Sequence, residues 1–65
     1  MKKIRIEATF TFKNGIVIPR GSKFVLNDRT GYYELIVRKE IKATLHKTTI
    51  QDEAFLAIIT NLDDE

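Results

Sequence analysis

Ile4, Ile6, Ala8, Phe10 and Phe12 alternate without a break with Lys3, Arg5, Glu7, Thr9, Thr11 and Lys13, and the run then meets Asn14-Gly15. Successive side chains of a strand point to opposite faces, so this alternation predicts one apolar face against a core and one charged face toward water. Asn-Gly is the strongest short signal for a type I′ hairpin, whose two central residues both need positive φ. The opening therefore predicts a half-buried strand that turns back on itself, with Phe10 and Phe12 among the least accessible side chains. The fold class that follows is mainly β.

The remainder of the chain extends this pattern. Ile16-Val17-Ile18 reads as the returning strand, and Pro19, which has no N–H to donate to a ladder, ends it or makes it an edge. Arg20-Gly21-Ser22 is a turn, Lys23-Phe24-Val25-Leu26 a strand, and Asn27 to Gly31 a loop of turn formers. Tyr32 to Arg38 is dense in β-formers. Ile41, Ala43 and Leu45 then alternate with Lys42, Thr44 and His46 in a further strand, reached through a tight corner at Arg38-Lys39-Glu40 that lacks glycine. The period changes after Lys47. Ile50, Ala54, Phe55, Ile58, Ile59 and Leu62 recur at helical spacing, with Thr49 as N-cap and Asp52 and Glu53 in the first turn, which predicts a C-terminal helix ending near Asn61. The expected architecture is a single domain over 1–62, a four- to five-stranded antiparallel meander or SH3-like barrel closed by one helix, with 63–65 a frayed acidic tail.

Sixty-five residues allow one domain and a small core, and chains this small lean on disulfides, metals or self-association. There is no cysteine, and His46 is the only histidine, so no zinc set can be assembled. Good packing or a homodimer remains. Ser22 and His46 are the sole serine and histidine and fall on different elements, while Gly15, Gly21 and Gly31 are too scattered to cradle a phosphate. No enzyme, cofactor or metal is expected. No segment is long and apolar enough to span a bilayer, and Arg5 and Glu7 interrupt any signal-peptide core after Met1-Lys2-Lys3. A cytoplasmic protein is the expectation.

Charge is segregated along the chain. All eleven basic residues lie in positions 1–47, against four acidic ones, for a net +7, whereas positions 48–65 hold five acidic residues and no base. Such a dipolar field attracts polyanions to one side. Strand alternation gives that side a shape. With Tyr33, Leu35 and Val37 inside, Glu34 stays in water and Tyr32, Ile36 and Arg38 join it on the outer face. The other strands add Lys3, Arg5, Thr9 and Thr11, then Lys42, Thr44 and His46. An exposed tyrosine and isoleucine among cations is the composition of a stacking-plus-phosphate platform. The expected function is a binding module in which Lys3, Arg5, Arg38 and Lys42 contact the phosphates of a nucleic acid or nucleoprotein and Tyr32 supplies stacking area, with Ile36 and His46 beside them. Tyrosine and arginine are also enriched at protein interfaces, so the alternative is a protein-binding inhibitor or assembly factor using the same face.

Two stretches carry family resemblances. Asn14-Gly15-Ile16-Val17-Ile18-Pro19 resembles the glycine, strand and Ile-Pro core of swapped-hairpin transition-state regulators, which bind DNA as dimers; the likeness stops at Arg20-Gly21-Ser22, where those proteins continue into a helix. The Met1-Lys2-Lys3 opening and Pro19-Arg20-Gly21-Ser22-Lys23-Phe24 are similar to short phage- or prophage-encoded proteins with SH3-like barrels, over about half the chain. That resemblance implies an accessory regulator or inhibitor acting on a host protein, although fold does not fix function.

Overall fold

The alternating segment does not run as one strand. β1 spans Lys3–Ile6 and β2 only Phe10–Thr11. An unbroken strand from Lys3 to Lys13 would measure roughly 35 Å at about 3.3 Å per residue, longer than the 29 Å greatest extent of the molecule. The chain bends at Glu7–Thr9 instead. There the Glu7 N–H donates to the Ile58 carbonyl (2.6 Å) and the Thr9 hydroxyl accepts the Arg20 N–H (3.1 Å). Phe10 and Phe12 are thereby folded over the core. They are partly buried rather than among the least accessible residues, which corrects the expectation from an unbent strand.

The computed structural model describes residues 1–63. β3 (Val17–Ile18) pairs with β2 in a two-stranded ribbon, and β4 (Lys23–Asn27), β5 (Tyr32–Val37) and β6 (Glu40–His46) form a meander. A 3-10 turn at Thr49–Gln51 and a one-turn helix, α1 (Glu53–Leu56), lead to β7 (Ile59–Asn61). The main sheet is antiparallel with order β6-β5-β4-β1-β7. This is the mainly β architecture predicted by the patterning, with the last strand returning to pair with β1. The core consists of Ile4, Ile6, Ile18, Phe24, Tyr33, Ala43, Leu45 and Ile50.

The C-terminal helix is shorter than predicted and is capped by Asp52, whose carboxylate accepts the Ala54 N–H (2.9 Å), not by Thr49. Its second half is a strand. Ile58-Ile59-Thr60 is a β-branched run that loses side-chain freedom in a helix, and β1 offers it a ladder in which Ile6 faces Ile59 and Arg5 faces Thr60. Asp63 is not frayed. Its carboxylate accepts the Lys2 N–H (2.8 and 3.0 Å) and the Lys3 N–H (2.8 Å), tying the end of β7 to the start of β1. Asp64 and Glu65 lie outside the described residues.

Two of these carboxylates set an acid limit on stability. The Lys3 and Lys2 backbone donors hold the Asp63 carboxyl below its ordinary range, and the Arg5 hydrogen bond, followed by that of Thr60, does the same for Glu7. A carboxyl with a lowered folded pKa stabilises the fold above its ordinary pKa, and that stabilisation is lost as pH falls toward the folded value. Melting temperature should therefore be flat above roughly pH 5 and fall below it, with Asp63→Asn and Glu7→Gln both showing a shallower fall. An unchanged acid slope in both variants would assign the loss to other groups.

The first hairpin turns at Asn14-Gly15, but not as a type I′ turn. Gly15 has φ 90°, whereas the only non-glycine residues with positive φ among those described are Arg38 and Lys39. The Gly15 N–H donates to the Phe12 carbonyl (2.9 Å), the Phe12 N–H to the Ile16 carbonyl (2.8 Å), and the Ile16 N–H to the Asn14 side chain (3.1 Å). This is a three-residue loop with glycine in the left-handed position, the usual alternative to the two-residue turn. A Cβ at Gly15 would touch nothing within 4 Å, so the cost of Gly15→Ala is conformational, about 1 kcal/mol. Chemical denaturation should show that loss, while Gly15→Asn, which tolerates this conformation better, should lose less.

Candidate binding face

The ladders settle which outer residues lie together. β1 and β4 place Lys3 opposite Val25 and Arg5 opposite Lys23. β4 and β5 place Val25 opposite Glu34 and Asn27 opposite Tyr32, and β5 and β6 continue with Tyr32 opposite His46 and Glu34 opposite Thr44. Lys3, Arg5, Tyr32, Glu34, Thr44 and His46 thus share one face of one sheet, as predicted. Thr9 and Thr11 do not join it, because the bend carries them to the loop and ribbon.

A β-bulge redraws the far end of that face. Between Leu35 and Ile36 the register slips, so that Leu35 faces Ala43 but Ile36 faces Ile41, leaving Lys42 as the extra residue of β6. Tyr33, Ala43 and Leu45 are buried and Leu35 is partly buried, in agreement with the alternation. Val37 and Ile41, both expected inside, are not: past the bulge the hairpin projects beyond the core, and Ile36, Val37 and Ile41 are 52%, 42% and 57% exposed. Val37 and Glu40 close the hairpin around Arg38 and Lys39, with φ 52° and 67°. The type I′ geometry predicted for Asn14-Gly15 is therefore found here, on two cationic residues.

Pairing within the chain changes the electrostatics of the face. Arg5 Nε donates to Glu7 Oε1 at 2.6 Å, and Glu7 also accepts the Thr60 hydroxyl at 2.9 Å. Lys42 Nζ donates to Glu40 at 2.9 Å. Two of the four cations assigned to phosphates are thus already matched by carboxylates. Among the described residues, Lys3, Lys23, Arg38 and Lys39 make no ion pair. Tyr32 packs its ring edge-to-face on His46 with centroids 4.9 Å apart. The His46 Nδ1 accepts the Thr48 N–H (3.2 Å) and lies 2.8 Å from the Thr48 hydroxyl, which fixes the ring against the strand end.

Sequence reasoning missed Lys23, Val25 and Ile41. The first two were legible: Phe24 points inward, so its neighbours point out. Ile41 was not, because nothing in the local sequence announces the bulge.

Ser22 donates its hydroxyl to the Pro19 carbonyl (2.7 Å). Among the described residues no group of three or more His, Asp or Glu side chains is placed to hold a metal ion, and no helix is long and apolar enough to cross a membrane. No protein-family model matches this sequence, no curated protein matches it, and no solved structure matches its fold.

Proposed function

We propose that the protein is a small binding module that docks an acidic, partly apolar protein surface with the outer face of its sheet. The observation that carries this reading is the Ile36–Ile41 pair, two β-branched side chains opposite one another across the β5–β6 ladder and each more than half exposed. Full burial of one such side chain stabilises a complex by about 1.5–3 kcal/mol, so half that is on offer from each. Val25 enlarges the apolar area of this face, and Lys3, Lys23, Arg38 and Lys39 supply a cationic rim. Apolar centres with charged rims are the usual anatomy of protein interfaces. An inhibitor or assembly factor of the phage type is one way to use such a face. The test is capture from nuclease-treated lysate. A partner retained by the wild type and lost with Ile36→Glu and with Ile41→Glu supports the reading, and a partner lost on nuclease treatment alone opposes it.

A specific observation favours a second reading, in which the same face recognises nucleic acid or a nucleoprotein. Tyr32 is 42% exposed and lies two register positions from the Val25–Glu34 pair, on the face that carries Lys3 and Lys23. If Lys3, Lys23, Arg38 and Lys39 neutralise about four duplex phosphates, log affinity should fall with log salt at a slope of about −3.6. Tyr32→Ala should weaken single-strand binding by about 1–3 kcal/mol through lost stacking. Fluorescence anisotropy at low salt with single- and double-stranded oligonucleotides checks both numbers, and absence of binding to either removes this reading.

A further inference from the structure

We propose that the β5–β6 hairpin end docks into a second copy of this chain, in the cleft between β2 and the segment formed by the 3-10 turn and α1. The inference rests on the reading that the hairpin end is a docking surface, and it names the partner. The cleft has a volume of about 480 Å³ and is lined by Phe10, Phe55, Ile58 and Ala54, with Thr48 and Asp52 at its rim. Its floor is aromatic: the Phe10 and Phe55 rings meet edge-to-face, 5.4 Å between centroids. Leu56, beside it, is exposed. Asp52 at the rim, and Glu53 next to it in the chain, make no ion pair among the described residues.

The two surfaces complement each other in both respects that matter. The hairpin end presents Ile36, Val37 and Ile41 with Arg38 and Lys39 at the tip, and the cleft presents aromatic and aliphatic area with the Asp52 carboxylate at its rim and exposed Glu53 adjacent in the chain. Opposite charge steers such contacts and suppresses wrong ones. They also lie at opposite ends of β6, since the tip immediately precedes Glu40 and Thr48 closely follows His46. Seven strand residues put them about 20 Å apart, nearly the full depth of a molecule whose extents are 29 × 27 × 21 Å. A tip cannot reach its own cleft. The contact is therefore between copies, and because it joins two different patches it is heterologous and propagates instead of stopping at a pair. So few side chains cover well under the roughly 800 Å² per partner of a standard interface, which makes the association weak and concentration-driven.

Sedimentation of the full chain between about 10 µM and 1 mM tests this in the range where interfaces below standard size assemble. At low salt the mean mass should begin near the 7.5 kDa monomer and climb past the dimer. In about 0.5 M salt the climb should shrink several-fold. R38N/K39G removes both tip charges and also relaxes the turn, so it should lose association while its melting temperature rises, which separates lost contact from lost fold. D52N/E53K keeps a competent N-cap and reverses the cleft. Alone it should stay monomeric, as should R38E/K39E, while an equimolar mixture of the two should associate. A wild type that stays monomeric at the highest concentration overturns the inference, as does growth that halts at a dimer or ignores these charge changes. Either result beside an Ile41-dependent, nuclease-resistant partner leaves the docking reading standing.

Discussion

Phe24→Ala should leave the chain largely unfolded at 25 °C. Phe24 lies in β4, between β1 and β5, where it faces Ile4 on one side and Leu35 on the other, and none of its surface reaches solvent. Truncating a buried phenylalanine costs about 3–5 kcal/mol, from lost transfer energy and from the cavity left behind. At about 0.05–0.15 kcal/mol per residue, a chain of this length has only about 3–10 kcal/mol in total. Circular dichroism should therefore show a weak, non-cooperative melt. Phe10→Ala supplies the contrast. Phe10 is partly buried over the core, against Phe12 and Phe55, so its variant should be destabilised and still fold. A native-like cooperative melt for Phe24→Ala, or equal damage from both variants, would mean that the main sheet does not dominate the stability.

Replacing Arg38-Lys39 with Asn-Gly should stabilise the protein. Both residues occupy the left-handed region that costs an ordinary L-residue roughly 1–2 kcal/mol, and Asn-Gly is the pair that a type I′ turn accepts best. Part of the relief is returned as the added conformational freedom of glycine in the unfolded chain, leaving a net gain of about 1–2 kcal/mol. For a domain of this size that amounts to roughly 4–8 °C in Tm per kcal/mol. Thermal melts of the single and double variants check it, and Lys39→Gly should carry the larger share because glycine removes the Cβ conflict altogether. A lowered Tm would show that the Arg38 and Lys39 side chains stabilise the hairpin by more than their backbones strain it. Strain retained at a position where a relaxed pair is available is a mark of sites kept for contact.

These results indicate where the sequence was informative. Alternation placed Ile4, Ile6, Tyr33 and Leu45 inside, and Tyr32, Glu34 and His46 on the outer face, because period-two patterning is a local property and the ladders obey it. What it could not convey was the length over which a pattern persists. The Lys3–Lys13 run alternates throughout, yet a small core cannot face so long a strand, so the chain bends after Ile6. Ile50 to Leu62 carries a helical period that a β-branched run and the open side of β1 override. The turns also differ from the expectation: Asn14-Gly15 closes a three-residue loop, and the tight turn with positive φ at both central residues falls in a separate hairpin, at Arg38-Lys39. On the candidate face, Lys3, Arg38 and Lys42 are exposed and Arg5 is partly buried, and the partnering of Arg5 by Glu7 and of Lys42 by Glu40 depends on side-chain reach that no spacing rule supplies.

The slip at Lys42 has a further meaning for the behaviour of the protein in concentrated solution. β6 is the outermost strand on its side of the sheet and, at seven residues, the longest in the molecule. A flat, regular margin of that length is a template on which identical chains stack edge to edge. The extra residue twists the margin near its middle and breaks its regular spacing of donors and acceptors, and the residue inserted there is a lysine, which resists burial against a copy of itself. The irregularity that leaves Ile41 exposed also guards against amyloid-like polymerisation, so contact between copies is confined to side chains at the hairpin end and does not pass into edge-to-edge strand pairing.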